Sequence, residues 1–413
     1  MASDAVFKRT ELAARMAQQI LLTGVGSAAP SGLFLAAPRR TGKSTFLRED
    51  LRPQLESAGA LVLYVDLWAD RKADPGEVVV AAIRSELAKH AGVVARLRRA
   101  AGMAKVNVGG IGFSLDRVGL QAQVSLSTAL QALSADVKRP IVLIVDEAQH
   151  AVTTEAGYDA LFALKAARDE LNGSGNHGLR IVATGSNRDK LAMLRNSRDQ
   201  AFFGAPLVAF PPLGQDFVRW FCAGTGLSAA LDPDTVGALF ERAAFRPEIL
   251  GAAADSLRFD FELKASDVAA RFATAVEEQI QAADTQTLRV IHALTPMQSA
   301  VLRVLCAKGA QYAPFEAATL AAYAAVLRAI APQDRIKPDV PNVQQALSAL
   351  QEKSLVWRER RGVYALEESA LSELLAANGL LDVVAEAAVK SANTAAAKSA
   401  KSAAQPKPKP RRT

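Results

Sequence analysis

The stretch Leu33 to Leu47, LFLAAPRRTGKSTFL, decides the fold of this 413-residue chain. It matches the phosphate-binding pattern G-x-x-x-x-G-K-[ST] except that Ala37 stands at the first glycine. An apolar strand pattern precedes the loop and a helical pattern follows it, which is the context that this motif requires. Because alanine is small and this position enters the loop from the strand, we expect nucleotide binding to survive, provided that Ala37 has ordinary backbone angles.

The residue types in the loop predict phosphate contacts. Backbone N–H groups of such loops point at phosphate oxygens, and the following helix contributes the positive end of its dipole. Lys43 is placed to reach the β- and γ-phosphates, and the Ser44 hydroxyl to bind Mg²⁺. The predicted nucleotide-binding residues of the loop are Pro38, Arg39, Arg40, Thr41, Gly42, Lys43, Ser44 and Thr45.

A second motif agrees with the first. The run PIVLIVDE, Pro140 to Glu147, is an apolar strand that ends in two carboxylates. Asp146 can hold Mg²⁺ through water, and Glu147 can orient and activate the water that attacks the γ-phosphate. An acid pair at a strand end is common on any surface, but loop, strand order and acid pair together predict a site for ATP and Mg²⁺.

Further catalytic candidates follow the next strand. LRIVATGSN, Leu179 to Asn187, ends in Ser186 and Asn187, either of which could hold the attacking water or the γ-phosphate. Arg198, and Arg195 before it, lie one helix later, where an arginine can complete a neighbouring subunit's site or be only a solvated charge. Arg246 in FRPEIL is a candidate nucleotide-binding arginine.

The apolar runs predict the fold class. Continuous apolar segments such as ALVLYVDLW, Ala60 to Trp68, are typical of strands buried on both faces by helices. We therefore predict an α/β P-loop NTPase with a parallel sheet in residues 1–213 and a helical lid in 214–290. A capping box at Thr295 and two short strands around Arg360 to Gly362 predict a winged-helix domain in residues 291–378.

The net charge of +7 is located at the C-terminus. From Lys390 onward there are seven basic residues and no acidic ones. The rest of the chain therefore has 42 basic and 42 acidic residues and no net charge. The segment from Lys390 onward has low complexity and is interrupted by prolines, and we predict residues 379–413 to be a disordered basic tail. Such a tail can tether the protein to nucleic acid or an acidic partner, or serve solubility alone.

Several classes are disfavoured by composition. No apolar run of about 18 residues is present, as a membrane span would need. Cys222 and Cys306 each lie alone in an apolar helical pattern, which favours free thiols in a reducing compartment, and we expect a cytoplasmic protein without a signal peptide. No N-K-x-D guanine-binding signature follows the fourth predicted strand, which disfavours a GTPase. No second run of parallel strands follows residue 214, which disfavours a helicase with two ATPase lobes.

The motifs together resemble the AAA+ ATPases, specifically the archaeal-type ATPases near the origin-recognition initiators. The resemblance rests on APRRTGKST, IVLIVDEAQ, TGSN and PLVAFPPLGQDF and covers residues 5 to about 285. It implies that Lys43, Ser44, Asp146, Glu147, and Ser186 or Asn187 serve ATP, and that a lid arginine contributes. The chain departs from the family pattern at Ala37 and in the lid motif, where Glu248 follows Pro247 and only Arg246 is basic.

Two functional hypotheses stay open at this stage. The first is an ATP-dependent switch or assembly factor acting on duplex DNA through the winged helix, the wing arginines Arg358, Arg360 and Arg361, and the tail. The second is a signalling ATPase that controls a protein partner or a homo-oligomer without DNA, which the neutral body of the chain favours. Neither hypothesis requires fast hydrolysis.

Overall fold

A computed structural model of the chain describes residues 6–22, 29–37, 40–70, 72–100, 113–114, 124–173, 176–186, 188–195, 200–227, 231–360, 362–367 and 370–386. The chain divides into two compact units, Met1–Gln279 and Ile280–Thr413. Each unit has its own hydrophobic core, so each is described by itself.

The first unit alternates strands and helices. Its strands are β1 Leu33–Ala36, β2 Leu61–Asp66, β3 Phe113–Ser114, β4 Val124–Ser125, β5 Ile141–Asp146, β6 Leu179–Gly185 and β7 Leu207–Ala209. Its helices are α1 Thr10–Leu21, α2 Lys43–Phe46, α3 Arg52–Ser57, α4 Pro75–Ala88, α5 Ala91–Ala100, α6 Leu126–Val137, α7 Glu155–Leu171, α8 Arg188–Met193, α9 Gln215–Gly224, α10 Pro233–Arg242 and α11 Pro247–Arg258, followed by α12 Val268–His292, in which the division into units falls. A π-helical turn, Leu47–Leu51, joins α2 to α3.

Five strands form a parallel sheet in the order β2-β5-β6-β1-β7. The four strands predicted from apolar runs are confirmed as β1, β2, β5 and β6. The edge strand β7 has only three residues, two of them exposed, so it carries no apolar run by which it could be predicted. Because β5, β6 and β1 are adjacent and parallel, their carboxyl ends share one edge of the sheet.

Helices cover both faces of the sheet. All six residues of β5 are buried, and the five apolar ones alternate between two apolar clusters. Leu143 and Val145 belong to the cluster that α4, α6 and α7 complete, whereas Val142 and Ile144 pack with α1 and the helical segment after the loop. This two-sided burial explains why the strand reads as an uninterrupted apolar run.

Helices α9–α12 occupy the predicted lid region. Asp232 caps α10, since its carboxylate accepts the Thr235 N–H, and Pro233 begins the helix as the sequence indicates. The helical character predicted for residues 214–290 is therefore observed. The predicted domain boundaries stay predictions, because one continuous helix, α12, runs through this part of the chain.

The described part of the second unit combines helices with a two-stranded ribbon. After the end of α12 come α13 Pro296–Lys308, α14 Ala317–Ile330, α15 Val340–Glu352, β8 Val356–Arg360, β9 Val363–Leu366 and α16 Ala370–Ala377. The capping box between Thr295 and Gln298 is present, and β8 pairs with β9 in antiparallel sense. The winged-helix assignment stays a prediction. The predicted disordered tail, residues 379–413, begins too early, because residues 382–386 are helical and Val384 packs into the hydrophobic core of this unit; the rest of the tail, from residue 387 onward, lies outside the described residues.

Two further features of the described residues bear on the sequence analysis. Cys222 and Cys306 are buried and free, as their apolar surroundings indicate. No helix in the described ranges combines the length and the apolar character needed to cross a bilayer.

Candidate nucleotide site

The loop after β1 has the backbone that phosphate binding needs. Gly42 has φ 79° and precedes α2, and no side chain caps the first turn of that helix, so its amide groups remain available to phosphate oxygens. Positive φ outside glycine occurs, among the described residues, at Arg40, Lys138, Glu147, Ala244, Phe245 and Ser354. Ala37 does not share this conformation; its N–H donates to the Gly185 carbonyl at 3.1 Å and extends β1. Its backbone therefore meets the condition set for an alanine at this position.

Lys43 joins the loop to the acid pair. Its ammonium lies 2.8 Å from Glu147 Oε1 and 3.3 Å from Asp146 Oδ1. The Lys43 side chain is 5% exposed and that of Asp146 only 1%, so these charges interact away from bulk water. The loop and the end of β5, separated by about a hundred residues, form one electrostatic unit.

Hydrogen bonds and charge keep Asp146 ionised. The Tyr64 hydroxyl donates to Oδ2 at 3.0 Å, and the Thr184 hydroxyl donates to Oδ1. Burial alone would raise the pKa of the Asp146 carboxyl, but the Lys43 ammonium and the hydroxyl donors, including that of Ser44, outweigh burial and lower the pKa. Asp146 is therefore a carboxylate at neutral pH.

Glu147 is held at the start of a tight turn. Its backbone is left-handed, with φ 53°, a strained conformation that is typical of functional sites. Oε2 accepts hydrogen bonds from Gln149 Nε2 at 2.5 Å and Ser186 Oγ at 2.9 Å. Burial opposes ionisation of this carboxyl as well, yet Lys43 and these donors lower its pKa.

The oxygen ligands fit a magnesium ion. The Ser44 hydroxyl donates a hydrogen bond to the Asp146 carboxylate, so the two predicted metal ligands lie side by side. Mg²⁺ prefers hard oxygen ligands, and proteins commonly hold it with one or two side chains, substrate phosphates and water. The residues present therefore match Mg²⁺ in kind and in number.

Comparisons with known proteins agree with this architecture. No protein-family model matches the chain, and no curated protein matches it. Among solved structures, the ADP form of the Aeropyrum pernix ORC2 protein is 15% identical over 92% of this chain and 94% of that chain, with a TM-score of 0.53. The chain has an Orc/Cdc6-type AAA+ P-loop fold. A Walker-type ATPase of Pyrococcus abyssi, PABY2304, is 16% identical over 91% of this chain and 99% of that chain, with a TM-score of 0.48.

The Orc/Cdc6-type fold confirms the fold that the motif resemblance implies. The structure also shows where Arg246, the candidate lid arginine, lies. Arg246 precedes α11 directly, and its Nε donates to the Ala243 carbonyl at 3.1 Å. Two residues further on, the Glu248 carboxylate lies 3.9 Å from the Arg40 guanidinium of the loop. The start of α11 thus lies beside the loop, while the hydrogen bond seen for the Arg246 guanidinium, among the described residues, goes to its own turn.

Some of the other predicted site residues are described by the structure, and some are not. Thr41 is buried, whereas Arg40 and Thr45 are exposed at the loop. Arg195 Nε donates to the Ala205 carbonyl, so this side chain supports the segment before β7. Four predicted site residues lie outside the described ranges: Pro38, Arg39, Asn187 and Arg198.

Three residues of the site were not predicted from the sequence. Tyr64 and Thr184 donate to Asp146, and Gln149 donates to Glu147. Tyr64 and Thr184 are polar residues inside otherwise apolar strands, which is a signal that could have drawn attention to them. Gln149 carries no such signal, since its contact depends on how the turn after β5 folds.

Proposed function

We propose that the chain is an ATP-binding ATPase that hydrolyses ATP with Mg²⁺ and uses the nucleotide cycle as a conformational switch. One observation carries the proposal: the loop lysine Lys43, the acid pair Asp146 and Glu147, and Ser186 form one connected network at the carboxyl edge of a parallel sheet. Ligands bind at this edge in open α/β sheets. The fold shared with a protein whose structure was solved in its ADP form supports a nucleotide as the ligand.

Each residue has a definite task in this proposal. The amide groups after Gly42 and the Lys43 ammonium bind the phosphates, while Ser44 and Asp146 hold the metal. Bound Mg²⁺ supplies charge neutralisation at the phosphate oxygens. Glu147 orients the attacking water; because its pKa is lowered, it acts mainly by position, which suits phosphoryl transfer, where little proton removal precedes bond breaking.

The ion pairs of Lys43 couple binding to the acid pair. A phosphate that forms an ion pair with the Lys43 ammonium competes with Glu147 Oε1, which lies 2.8 Å from Lys43 Nζ. Nucleotide binding therefore changes the charge balance around Glu147 and leaves that oxygen for water. This exchange of partners is the local event that a nucleotide switch requires.

Turnover and binding of ATP test this function together. Wild type, Glu147→Gln and the control Glu352→Gln, which changes an exposed glutamate of the second unit, are compared with and without Mg²⁺. We expect Mg²⁺-dependent turnover in wild type and control, and a loss of about 100-fold or more in Glu147→Gln with ATP binding retained. Equal turnover in all three proteins contradicts the assigned role of Glu147, and no ATP binding by wild type contradicts the proposed function.

Duplex DNA is the partner that we propose for the second unit. Arg358 on β8 is exposed. Gln345 and Ser348 lie on the outer face of α15, and a recognition helix presents polar side chains of this kind to the base edges of DNA. Gln344 on the same face is instead engaged, since its Nε2 donates to the Tyr364 hydroxyl at 3.2 Å. The basic tail adds charge that attracts phosphates.

Salt-dependent duplex binding by the full chain tests the DNA proposal. We expect binding that weakens with salt and is lost when Arg358, Arg360 and Arg361 are replaced by alanine and the chain ends at residue 386. Binding no tighter than background at low salt contradicts it. A nucleotide-dependent change of oligomeric mass that DNA does not affect would favour the signalling alternative, which the balanced charge outside the tail supports.

A further inference from the structure

Gln149 is a buried polar residue beside the acid pair. It lies in the 3₁₀ turn Ala148–Thr153 directly after β5 and is only 2% exposed. Its Nε2 donates to Glu147 Oε2 at 2.5 Å and lies 3.3 Å from Ser186 Oγ, to which it also donates. A carboxamide has two N–H donors, and both have an acceptor in this site.

The contacts close a triangle around one oxygen atom. Ser186 Oγ also donates to Glu147 Oε2, at 2.9 Å, so Gln149 and Ser186 hold the same carboxylate oxygen. The other oxygen, Oε1, faces Lys43. The Glu147 carboxylate is thereby fixed in rotation, with one oxygen anchored by neutral donors and one directed at the phosphate-binding lysine.

Gly185 makes room for the glutamine. A Cβ atom at this position would lie 2.4 Å from Gln149 Oε1, closer than any real contact, and the backbone of Gly185 does not require positive φ. The glycine is therefore needed for space. Gln149 Oε1 accepts no hydrogen bond from the described residues, and the reverse amide orientation would turn this oxygen toward the Glu147 carboxylate. Charge thus fixes the direction of the amide.

We propose that Gln149 is a positioning residue for ATP hydrolysis, which orients the Glu147 carboxylate through Nε2 and for which Gly185 supplies the space. This inference rests on the proposed ATPase function. Gln149 touches neither nucleotide nor water in this role, so its loss lowers the rate of the chemical step and leaves ATP affinity unchanged.

Substitution of Gln149 tests the role by separating kcat from KM. Gln149→Leu keeps the volume and removes both donors; we expect kcat to fall about 10- to 100-fold while KM and ATP binding stay within about threefold. Gln149→Met serves in its place if the leucine variant does not fold. Ser134→Ala is the matched control, a buried polar residue of the same unit whose hydroxyl has no partner among the described residues, and we expect wild-type kinetics from it.

A double-mutant cycle tests the contact itself. Gly185→Ala should lower kcat in the wild-type background because it displaces the glutamine, and should have a much smaller effect in the Gln149→Ala background, where the remaining close neighbour is Leu191 Cδ1 at 3.3 Å. Additive losses overturn the inference, and so does unchanged kcat in Gln149→Leu when wild type hydrolyses ATP. Absence of turnover in wild type instead contradicts the proposed function, so the two failures are distinguishable.

Discussion

The phosphate-binding loop and the start of α11 hold their basic side chains in different ways. Lys43 is 5% exposed and contacts the buried Asp146 carboxylate at 3.3 Å and the partly buried Glu147 carboxylate at 2.8 Å. Arg246 is half-buried, and among the described residues its guanidinium donates only to the carbonyl of Ala243, in its own turn. The lysine is fixed by two carboxylates that are themselves held by hydrogen bonds, whereas the arginine can change partner without breaking a network.

The difference follows from the positions of the two elements. Lys43 lies at the carboxyl edge of the sheet, where strand pairing brings β5 and β6 together and surrounds the charge with Asp146, Glu147, Thr184 and Ser186. Arg246 lies between two helices and follows two residues in left-handed conformation, Ala244 and Phe245. The comparison indicates a rigid edge at the candidate site and an adjustable arginine at the start of α11, and mutations can separate the two.

The largest expected effect is on Lys43→Ala. Its removal leaves the buried Asp146 and the partly buried Glu147 without a cation, so we expect a loss of about 3–5 kcal/mol in the free energy of unfolding at neutral pH. Urea denaturation of the nucleotide-free protein measures the loss. Lys165→Ala, which removes an exposed ion pair with Asp169, is the control and should cost about 1 kcal/mol or less. Equal costs would contradict burial as the source of the difference.

The same variant should respond differently to pH. In wild type the pKa values of Asp146 and Glu147 are lowered by folding, so both carboxylates stabilise the folded protein at pH values above their ordinary pKa of about 4. This stabilisation is lost as the pH falls through the lowered pKa values of the folded state. Without Lys43, both pKa values lie above those in the wild type, because burial is then opposed by the hydrogen-bond donors alone, so the folded variant takes up protons at a higher pH. The deficit of Lys43→Ala should therefore shrink between pH 7 and about pH 4; a constant deficit argues against the ion pairs.

The second largest loss of stability is expected for Thr184→Val. Thr184 is fully buried and its hydroxyl donates to Asp146, so the isosteric valine leaves a buried carboxylate with one donor fewer. We expect a loss of about 2 kcal/mol, because hydrogen bonds to charged groups are worth about 1.5–3 kcal/mol. Thr184→Ser keeps the hydroxyl and should recover part of the loss. Thermal unfolding of the three proteins checks this, and equal stability of valine and serine variants would count against it.

The sequence predicts the rigid edge better than the lid. The strands β1, β2, β5 and β6 are continuous apolar runs because they are buried on both faces, and their polar ends fall where the site lies. The role of Gln149 depends on a turn and on the pairing of β5 with β6, neither of which a local pattern encodes. The left-handed backbone at Ala244 and Phe245 is likewise invisible, because neither residue type indicates it.

The third effect is a gain in stability at the lid. Ala244 is exposed and has φ 53°, a conformation that costs an alanine about 1–2 kcal/mol. Ala244→Gly should therefore raise the free energy of unfolding by about 1 kcal/mol, even though glycine gains entropy in the unfolded chain. Ala243→Gly is the matched neighbour, a buried residue with ordinary φ, and should destabilise. Urea midpoints that fall in both variants would contradict the strain.

The smallest effect on stability is expected for Arg246→Ala. Its guanidinium makes one hydrogen bond to a carbonyl, so we expect a change of about 0.5 kcal/mol or less. If the arginine turns to the nucleotide, as its place beside the loop suggests, ATP affinity or turnover should nevertheless fall about tenfold. Arg242→Ala, which removes an exposed ion pair with Glu277, is the control and should leave both unchanged. Loss of ATP affinity without loss of stability is the signature of a side chain that the folded protein leaves adjustable; loss of both would place Arg246 in a rigid site like that of Lys43.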